Sequence, residues 1–449
     1  MTGAPEASPV ASPDASAPPR LALLHPRRLT RNVLVSLAGW VVPAAVALAA
    51  FPIAARQWGP DRFAIVALAW GFTGWFGQFD FGVARGLTRA VAARHATGRE
   101  AEVPSLVWSA HAALGLLALG MGVAAWGGAE RLVDGVLTLP RGDAALRHEA
   151  VVSVRWMAVA ILPVLWGTAS RAVLEARQQF GVATALRTPA VIGSFALPLL
   201  ADSASTAVAL LVAVRVAYAA AQLVALRVPV QGPLAMRAVL RDGGWITLTG
   251  VISPLLAQGD RMALASWRPL AESGAYVAVQ EVAFKLAVFC VALQPVLFAA
   301  VSAARSVDEA AARAIARRAT VATALVVAGP ALVLMGWAEP LLQLWLGPAL
   351  HPEAPRAMAI LAAGVFVNAL AQVPFAYLQA GSGDRAVALL HLVQLPLFLG
   401  ALWAVVPQWG MTGAATVWSV RVAIDGAALW WLGMRTARGD HGTTTAELR

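Results

Sequence analysis

The stretch Val33–Ala55, VLVSLAGWVVPAAVALAAFPIAA, decides what kind of protein this chain forms. It contains no charged side chain and is long enough to cross the roughly 30 Å of hydrocarbon in a bilayer as one helix. It is also longer than the core of a signal peptide, and many similar runs follow it, so we expect it to be a retained helix. The bilayer is therefore the solvent in which this chain folds.

The composition of the whole chain leads to the same conclusion. Hydrophobic residues make up 59% of the sequence and charged residues only 13%, whereas ordinary soluble domains are roughly a quarter charged. A single water-soluble core cannot account for that balance. Cys290 is the only cysteine, which rules out an intramolecular disulfide or a thiolate metal cluster. We expect neither a metal nor a cofactor.

Apolar runs separated by charged or Pro/Gly-rich breaks predict an all-α polytopic membrane protein with about 12 transmembrane helices. The predicted spans are 33–55, 63–83, 104–126, 150–170, 188–201, 205–226, 244–266, 274–303, 320–342, 357–379, 386–406 and 411–434. The fifth span is short and is interrupted by Pro198. The N-terminal residues are mostly Ala, Ser and Pro, which predicts a disordered tail.

The two halves of the chain resemble each other. The passage Gly59–Ala64 (GPDRFA) resembles Leu270–Tyr276 (LAESGAY), and a Gly-Trp pair opens each half, at Gly39 and at Gly244. Because an even number of helices separates the copies, we predict two parallel six-helix lobes around a central cavity, which is a transporter architecture. The predicted boundaries are a cytoplasmic tail at 1–30, lobes at 31–228 and 244–435, a cytoplasmic linker at 229–243 and a second tail at 436–449.

The distribution of arginine predicts the orientation, because short cytoplasmic loops carry an excess of basic residues. If the N-terminus is inside, the inside segments hold most of the arginines, with clusters in 85–99 and 305–318. Both termini are therefore predicted to be cytoplasmic. The same bias accounts for the net charge of +10, and the chain has no aromatic-interleaved basic groove, so we expect no nucleic-acid partner.

Ionisable side chains inside the predicted spans are costly in a bilayer, so each raises a functional hypothesis. A surplus of arginine favours an anionic cargo, because the planar guanidinium holds a phosphate bidentately. The basic residues Arg155, Arg215, Arg261, Lys285 and Arg421 are our candidates for binding a pyrophosphate or glycan. The acidic residues Asp80, Asp260, Glu281 and Asp425 are our candidates for ion coupling or gating. No residue is predicted to be catalytic.

Four of these candidate residues form two pairs that also have a purely structural interpretation. Glu281 and Lys285 are four residues apart on one helical face, and Arg421 and Asp425 repeat that spacing, so both pairs can be internal salt bridges. Other polar residues in the tenth and eleventh spans are expected to form hydrogen bonds between helices. They are Asn368, Gln372, Gln379, His391 and Gln394.

The remaining charges differ in how easily a partner can be found. Asp80 lies near the end of its span and can pair with Arg85. Asp260 and Arg261 are adjacent, so they cannot share one helical face, and at least one of them needs a partner on another helix. Arg215 has no acid nearby on its own helix. We expect Arg261 to be the best single candidate for contact with an anion.

Four motifs resemble one family of membrane proteins. The first motif is made of Gly243–Ile246 through Ser253-Pro254, followed by Asp260-Arg261 and by Gly274–Tyr276. The other three are Phe79–Gly82 (FDFG) with Arg85, Leu342–Gly347 (LQLWLG), and Trp409–Ala415 (WGMTGAA) before Arg421. In this order and spacing the chain resembles the polysaccharide export and O-antigen flippase family, part of the multidrug/oligosaccharidyl-lipid/polysaccharide exporter superfamily.

The resemblance implies a function as well as a fold. It implies alternating access that moves an undecaprenyl-pyrophosphate-linked oligosaccharide, such as an O-antigen repeat unit, across the bacterial inner membrane. The implied partners are that lipid-linked glycan, the bilayer, and a glycan polymerase with its export machinery. An ion gradient is the implied energy source, with a coupling role for Asp80 or Asp260.

Two other functions remain open from the sequence. A multidrug antiporter of the same superfamily needs buried carboxylates that hold organic cations, and the arginine surplus argues against it. A membrane glycosyltransferase or glycan polymerase needs sizeable outer loops with catalytic acids. The longest outer loop, about Gly127–Glu149, carries acids that form no recognisable pattern, so we expect a transporter rather than an enzyme.

Overall fold

A computed structural model describes residues 26–140, 142–177, 179–230, 244–287, 309–379 and 384–439, together with residues 297, 301 and 304. The first half contains α1 (Pro26–Trp75), α2 (Val83–Ala96), α3 (Val103–Gly127), α4 (Ala129–Val136), α5 (Ala144–Ala176), α6 (Phe180–Ala196) and α7 (Ala204–Leu226). The second half contains α8 (Gly244–Trp267), α9 (Leu270–Phe284), α10 (Glu309–Gly336), α11 (Ala338–Leu346), α12 (Ala354–Gln379) and α13 (Asp384–Gly439). Most of the predicted tails and linker, and Cys290, lie outside the described residues.

The predicted all-α membrane fold is confirmed. In the described part of the chain, seven helical segments are long and apolar enough to cross a membrane. They are Glu100–Gly127, Ala144–Ala176, Phe180–Leu200, Ala204–Leu226, Glu309–Gly336, Ala354–Gln379 and Arg385–Met434. Each predicted span overlaps a helix when α1 and α13 are each divided at a kink, although the ninth span runs past the end of α10 into α11 and the end of the eighth span lies outside the described residues.

Glycine makes the kink in each of the two longest helices. Gly59 in α1 has φ 74° and ψ 171°, and Gly410 in α13 has φ 53° and ψ −139°. Residues with a Cβ rarely adopt these angles, whereas glycine does so without steric cost. Each kink joins two predicted spans into one bent helix. We call the end of the bundle at which Gly59 and Gly410 lie the kink end.

The second predicted span ends earlier than the sequence indicates. α1 stops at Trp75, and the chain then turns through Phe81 (φ 52°) and Gly82 (φ 76°) before α2 begins. Asp80 stabilises this turn, because its carboxylate accepts hydrogen bonds from the backbone N–H of Gly82 at 3.0 Å and of Ala84 at 2.9 Å. Asp80 therefore caps α2, where its charge also suits the positive end of the helix dipole. The side chain of Arg85, its predicted partner, lies outside the described part.

The two similar passages of the sequence meet in the structure. Gly274 of α9 packs so closely on Ala64 of α1 that a Cβ added to Gly274 would lie 2.7 Å from the Ala64 Cα and 2.6 Å from its Cβ. Both residues are fully or almost fully buried. A small residue on each side lets the two helix backbones come this near. The crossing therefore lies where the two predicted repeats face each other.

Direct hydrogen bonds join the two halves at the kink end. The backbone N–H of Thr138 donates to the Ala265 carbonyl at 3.1 Å, and the Thr138 carbonyl accepts from the Leu270 N–H at 3.1 Å. The indole N–H of Trp345, at the end of α11, donates to the carbonyl of Leu48 in α1 at 2.5 Å. The two halves are thus in contact at this end of the bundle.

Each half also holds its own helices together at the kink end with a buried or half-buried carboxylate. Glu149 of α5 accepts from Arg62 Nε at 2.8 Å and from the backbone N–H of Ala204, the first residue of α7, at 2.9 Å. In the second half, Glu272 accepts from Arg268 Nε at 2.9 Å and from the backbone N–H of Met411, just after the α13 kink, at 2.7 Å. Both carboxylates satisfy a backbone donor at the start of a helical segment.

Candidate functional site

A cavity of about 600 Å³ lies among α1, α5, α6, α7, α8 and α9. The part of α5 that lines it runs from Pro163 to Arg171, and α7 contributes Arg215 and Tyr218. On both helices these positions lie beyond the midpoint, away from the kink end. The cavity therefore extends from the middle of the bundle toward the end opposite the kinks, as expected for a pocket reached from one side of the membrane.

An aromatic cluster closes the cavity on its kink-end side. Phe51 lies 5.0 Å from Trp70 between ring centroids, and Trp70 lies 5.2 Å from Phe195. Trp345 from the second half stacks on Phe51 at 6.1 Å. Phe51 and Trp70 are almost fully buried. The cluster separates the cavity from the kink end and includes one residue contributed by the opposite half.

The charged residues that line the cavity are mostly cations. They are Arg171, Arg187, Arg215, Arg261 and Lys285, with Glu281 as the one acid among the lining residues. Lys285 forms an ion pair with Glu281 on α9, so the predicted four-residue pairing is confirmed. Arg171 also has an acidic neighbour, with its Nε 3.8 Å from Glu175 Oε1. A surplus of positive charge in a low-dielectric site attracts and holds anions.

Arg261 is the cation whose position is most closely fixed. Its Nε donates to the side-chain oxygen of Gln280 on α9. Its Nη1 lies against Gly71 of α1, 2.6 Å from where a Cβ on that glycine would be. The exposed fraction of Arg261 is only 7%, yet the residue lines the cavity. Arg261 is therefore a side chain of the second half that touches the first half at the cavity wall.

The partner of Arg261 is itself part of a buried polar group. Gln280 Nε2 donates to Asp260 Oδ2 at 2.9 Å, and the Tyr276 hydroxyl donates to the same oxygen at 2.6 Å. Asp260, Tyr276 and Gln280 are fully buried. Gln280 thus links the two adjacent charges through one amide, and the expectation that this pair needs partners on another helix is confirmed.

Arg215 is held more loosely than Arg261. Its Nη2 lies 3.5 Å from the Thr73 hydroxyl, and its buried Nε has no hydrogen-bond partner in the described residues. No acid lies on its own helix within reach, as the sequence indicates. An unsatisfied guanidinium nitrogen beside a cavity is costly unless a ligand completes its hydrogen bonds.

A second, smaller cavity of about 220 Å³ lies in the second half, among α8, α9, α12 and α13. Asp425 lines this cavity and lies in the arm of α13 that follows the Gly410 kink. Its two partners lie in the arm before the kink, His391 Nε2 at 3.4 Å and Gln394 Nε2 at 3.0 Å. Arg421, predicted to pair with Asp425, instead stacks on Phe398, with its guanidinium carbon 5.8 Å from the ring centroid. The buried Nε of Arg421 has no partner in the described residues.

Two of the residues predicted from the sequence lie away from both cavities. Arg155 donates to Glu130 of α4 at 3.3 Å near the kink end, and Asp80 caps α2. Neither lines the larger cavity. Both residues fall inside predicted spans, which is why the sequence makes them candidates. In the structure, however, α4 places Glu130 beside Arg155, and the helix of the second predicted span ends at Trp75, before Asp80.

Sequence reasoning did not single out several residues of the site. Arg171 and Arg187 look like ordinary loop arginines because they lie at the edges of predicted spans, yet α5 and α6 carry both into the cavity wall. Tyr276 and Gln280 are four apart on α9 and face Asp260. That spacing of polar residues on a helix following a buried acid is the signal that could have identified them.

Comparison with known proteins places this fold and site in a family. A model of the family described as "Polysaccharide biosynthesis protein" matches residues 29–299, which is more than half of the chain. The chain belongs to this polysaccharide biosynthesis family. The match spans the first half together with α8 and α9, and so includes the Asp260–Gln280–Arg261 group.

A curated relative supports membership of this polysaccharide biosynthesis family. The chain is 23% identical over 424 residues to a Shigella flexneri protein named "Putative O-antigen transporter", covering 90% of this chain and 97% of the relative. The predicted resemblance is therefore confirmed at the level of the family.

Solved structures show the same fold at low sequence identity. A multidrug resistance MATE family transporter of the MOP superfamily in its inward-facing conformation has a TM-score of 0.74 at 11% identity, covering 91% of this chain and 99% of that one. The lipid II flippase MurJ in an inward closed conformation has a TM-score of 0.73 at 11% identity, covering 89% and 87%. This member of the polysaccharide biosynthesis family therefore has the two-lobe transporter fold.

Proposed function

We propose that this protein is a flippase that moves a polyprenyl-pyrophosphate-linked oligosaccharide across the bacterial inner membrane. The observation that carries the proposal is the cavity of about 600 Å³ lined by five cationic side chains and one acid. Cations at membrane depth are costly, so a cavity that keeps them suits a strongly anionic cargo. A pyrophosphate head group supplies that charge, and the family and its O-antigen-type relative support a lipid-linked glycan.

The side chains suggest how such a head group is held. Arg261 lines the cavity while Gln280 fixes its Nε, so the guanidinium is oriented before a ligand arrives. Arg215 has an unsatisfied Nε beside the same cavity. Two guanidinium groups with open donors can share the oxygens of a pyrophosphate. The side-chain oxygen of Gln258, which lines the same cavity and has no partner among the residues that the structure describes, suits a sugar hydroxyl.

The geometry supports alternating access with one side open. The cavity extends away from the kink end, where the aromatic cluster and the Thr138 and Trp345 hydrogen bonds close it. The arginine distribution predicts that the kink end is periplasmic and that both termini are cytoplasmic. In this state the cavity would receive cargo from the cytoplasmic leaflet. Opening to the periplasm would break the contacts between the halves at the kink end.

Two rival functions predict a different cavity. A multidrug antiporter would hold organic cations, which the surplus of arginine repels, although the MATE transporter shares the fold. A membrane glycosyltransferase or polymerase would need a group of catalytic acids, whereas the acid lining this cavity, Glu281, is neutralised by Lys285. A non-enzymatic transporter that delivers lipid-linked glycan to a separate polymerase and export machinery is the function this site supports best.

The first test is to delete the gene in its host and to determine which face of the inner membrane holds the accumulated lipid-linked glycan. Complete units retained on the cytoplasmic face are expected for loss of a flippase, and wild-type complementation should clear them. Truncated units, or single units on the periplasmic face that never polymerise, would indicate an enzyme. A normal glycan with altered drug tolerance would indicate the antiporter.

A further inference from the structure

The second cavity contains a buried histidine–carboxylate pair that the cargo site does not use. His391 and Asp425 lie on the two arms of α13, with exposed fractions of 9% and 8%, and their nearest atoms are 3.4 Å apart. Gln394 Nε2 donates to the same carboxylate at 3.0 Å. His391 Nδ1 and Gln394 Oε1 have no partner in the described residues. A histidine that faces a carboxylate in a cavity can share one proton with it.

The other charged groups around this pair favour a proton over a metal cation. The residues contributed by α8, α9 and α12 to the cavity wall are apolar or amide side chains, Leu256, Ala257, Phe284, Asn368 and Gln372 among them. The charged neighbour is Arg421, one helical turn before Asp425. Asp425 is the one carboxylate among the described residues of the wall. A permanent positive charge beside it opposes a metal ion, which also needs several oxygen ligands.

Arg421 connects the second cavity with the cargo site. It lies within electrostatic range of two acids, Asp425 on its own helix and Asp260 on α8. Within the described part of the chain, neither its buried Nε nor Asp260 Oδ1 has a hydrogen-bond partner. Arg421 also stacks on Phe398, and the Phe398 ring lies 3.1 Å from where a Cβ on Gly259, the neighbour of Asp260, would be. Arg421 is therefore near Asp425 on its own helix and near the part of α8 that carries Asp260. Arg421 can therefore pair either with Asp425 or with Asp260.

Beyond Asp260 the contacts continue to the boundary between the two halves. Asp260 accepts from Gln280, Gln280 accepts from Arg261, and Arg261 lies against Gly71 of the first half. A change in how Asp260 is paired therefore reaches Arg261 through one amide side chain. Arg261 is both a wall of the cargo cavity and a contact between the halves.

We propose that His391 and Asp425 form the proton site of this transporter, and that Arg421 transmits its occupancy to Asp260, Gln280 and Arg261. The inference rests on the proposed function only for the identity of the cargo. A proton from the aqueous phase adds to the pair between His391 Nε2 and Asp425 Oδ1, and no other bond is made or broken covalently. The added positive charge repels Arg421 toward Asp260, whose free Oδ1 accepts from it. Asp260 then releases Gln280, and Arg261 loses its fixed contact at Gly71.

The test measures the distance between the halves without any cargo, so it is independent of the proposed function. Cys290→Ser protein in lipid nanodiscs carries spin labels at Leu132→Cys of α4 and Leu344→Cys of α11, both exposed positions on opposite halves at the kink end. Distance distributions are recorded from about pH 5 to about pH 8.5, a range that brackets the unperturbed histidine pKa of about 6.5. The labelled background should shift between two distance populations over this range.

Four variants in that background separate proton binding from transmission. Asp425→Asn and His391→Gln should abolish the pH-dependent shift, and the second variant guards against misfolding of the first. Arg421→Gln should abolish the shift while proton uptake, followed with a pH-sensitive dye, persists. Glu339→Gln, a neutralised acid on the exposed surface of α11, should behave like the background. Distances that never depend on pH, or a shift unchanged in Asp425→Asn and His391→Gln, would overturn the proton site. A normal shift in Arg421→Gln would overturn the role of Arg421.

Discussion

The two halves of the molecule resemble each other at the kink end and differ in the interior. At the kink end each half uses a carboxylate, Glu149 or Glu272, to accept from an arginine and from a backbone N–H at the start of a helical segment. In the interior, the first half contributes Arg215, whose Nε is unpaired, to the cavity. The second half pairs its buried acid Asp425 with a histidine and an amide.

This difference indicates a division of labour built on one repeated frame. The contacts at the kink end are the same in kind because both halves must hold their helices together where the cavity closes. The side chains in the interiors of the two halves can differ, because neither Arg215 nor Asp425 holds helix ends together. Both halves contribute cations to the cavity proposed for the anionic cargo, whereas the proposed proton group, His391 with Asp425, belongs to the second half. The following substitutions test how strictly that division holds.

The largest effect is expected for Arg261→Ala, which removes a cation that lines the cavity and touches both halves. Loss of a charged, oriented contact to a phosphate should lower flipping activity by about 100-fold, equivalent to about 2.7 kcal/mol. Activity is measured as the rate at which lipid-linked glycan reaches the periplasmic face in a complemented deletion strain. Arg155→Ala is the matched control, since Arg155 contacts Glu130 and does not line the cavity. Equal losses in both variants would contradict the assignment of Arg261.

A smaller loss, about tenfold, is expected for Gly71→Ala. The added methyl group would meet the flexible Arg261 guanidinium at 2.6 Å, so the protein should fold while Arg261 is displaced. Gly274→Ala provides the contrast, because there the new methyl group would meet the backbone of Ala64 at 2.7 Å. Overpacking against a backbone costs about 1–3 kcal/mol, so this variant should lower the unfolding temperature. The idea fails if Gly71→Ala is unstable but, once folded, fully active.

Arg215 and Arg421, whose Nε atoms have no partner among the described residues, should respond differently to an anionic ligand. Arg215→Gln should weaken the binding of farnesyl pyrophosphate to purified protein at neutral pH by about tenfold, and the remaining affinity should depend less on salt. Arg421→Gln should change that affinity by less than about threefold, because Arg421 lines the second cavity rather than the first. Isothermal titration in nanodiscs gives both values. A larger loss for Arg421→Gln would reverse the division between the halves.

The smallest effects on transport are expected for the carboxylates at the kink end, which act on stability. Glu272→Gln should lower the free energy of unfolding by about 2 kcal/mol and Glu149→Gln by about 1 kcal/mol, since a more buried hydrogen-bonded charge is costlier to disturb. The exposed fractions of the two side chains, 3% for Glu272 and 15% for Glu149, set this order. Thermal unfolding in detergent measures both, with the exposed Asp134→Asn as a control. Identical shifts would show that burial does not separate the two contacts.

The sequence predicts most of the fold because hydrophobic length is a local property. A run such as Val33–Ala55 crosses the membrane whatever its neighbours are, and intramembrane charges such as Arg261 and Asp260 can be recognised from their position. The helix break at Phe79–Gly82 was missed because the motif is apolar apart from Asp80, and only the backbone angles of Phe81 and Gly82 reveal the turn.

The site was harder to predict because it depends on contacts between distant segments. Arg155 and Arg215 look alike in the sequence, but α4 places Glu130 beside the first, and the cavity lies beside the second. Similarly, the spacing of Arg421 and Asp425 predicts a pair, yet the part of α13 before the Gly410 kink brings His391 to the acid instead. Partners that lie tens of residues away are set by helix packing and leave no local signal.

The crossing of Ala64 and Gly274 bears on how such a chain can evolve. In a dimer of two identical six-helix chains, a contact on the symmetry axis would place one residue against its own copy, so any enlargement would occur on both sides at once. Once the copies are fused in a single gene, each side can mutate alone. An alanine on one side is then tolerated because the other side is a glycine, and the ancestral symmetry can be lost one substitution at a time.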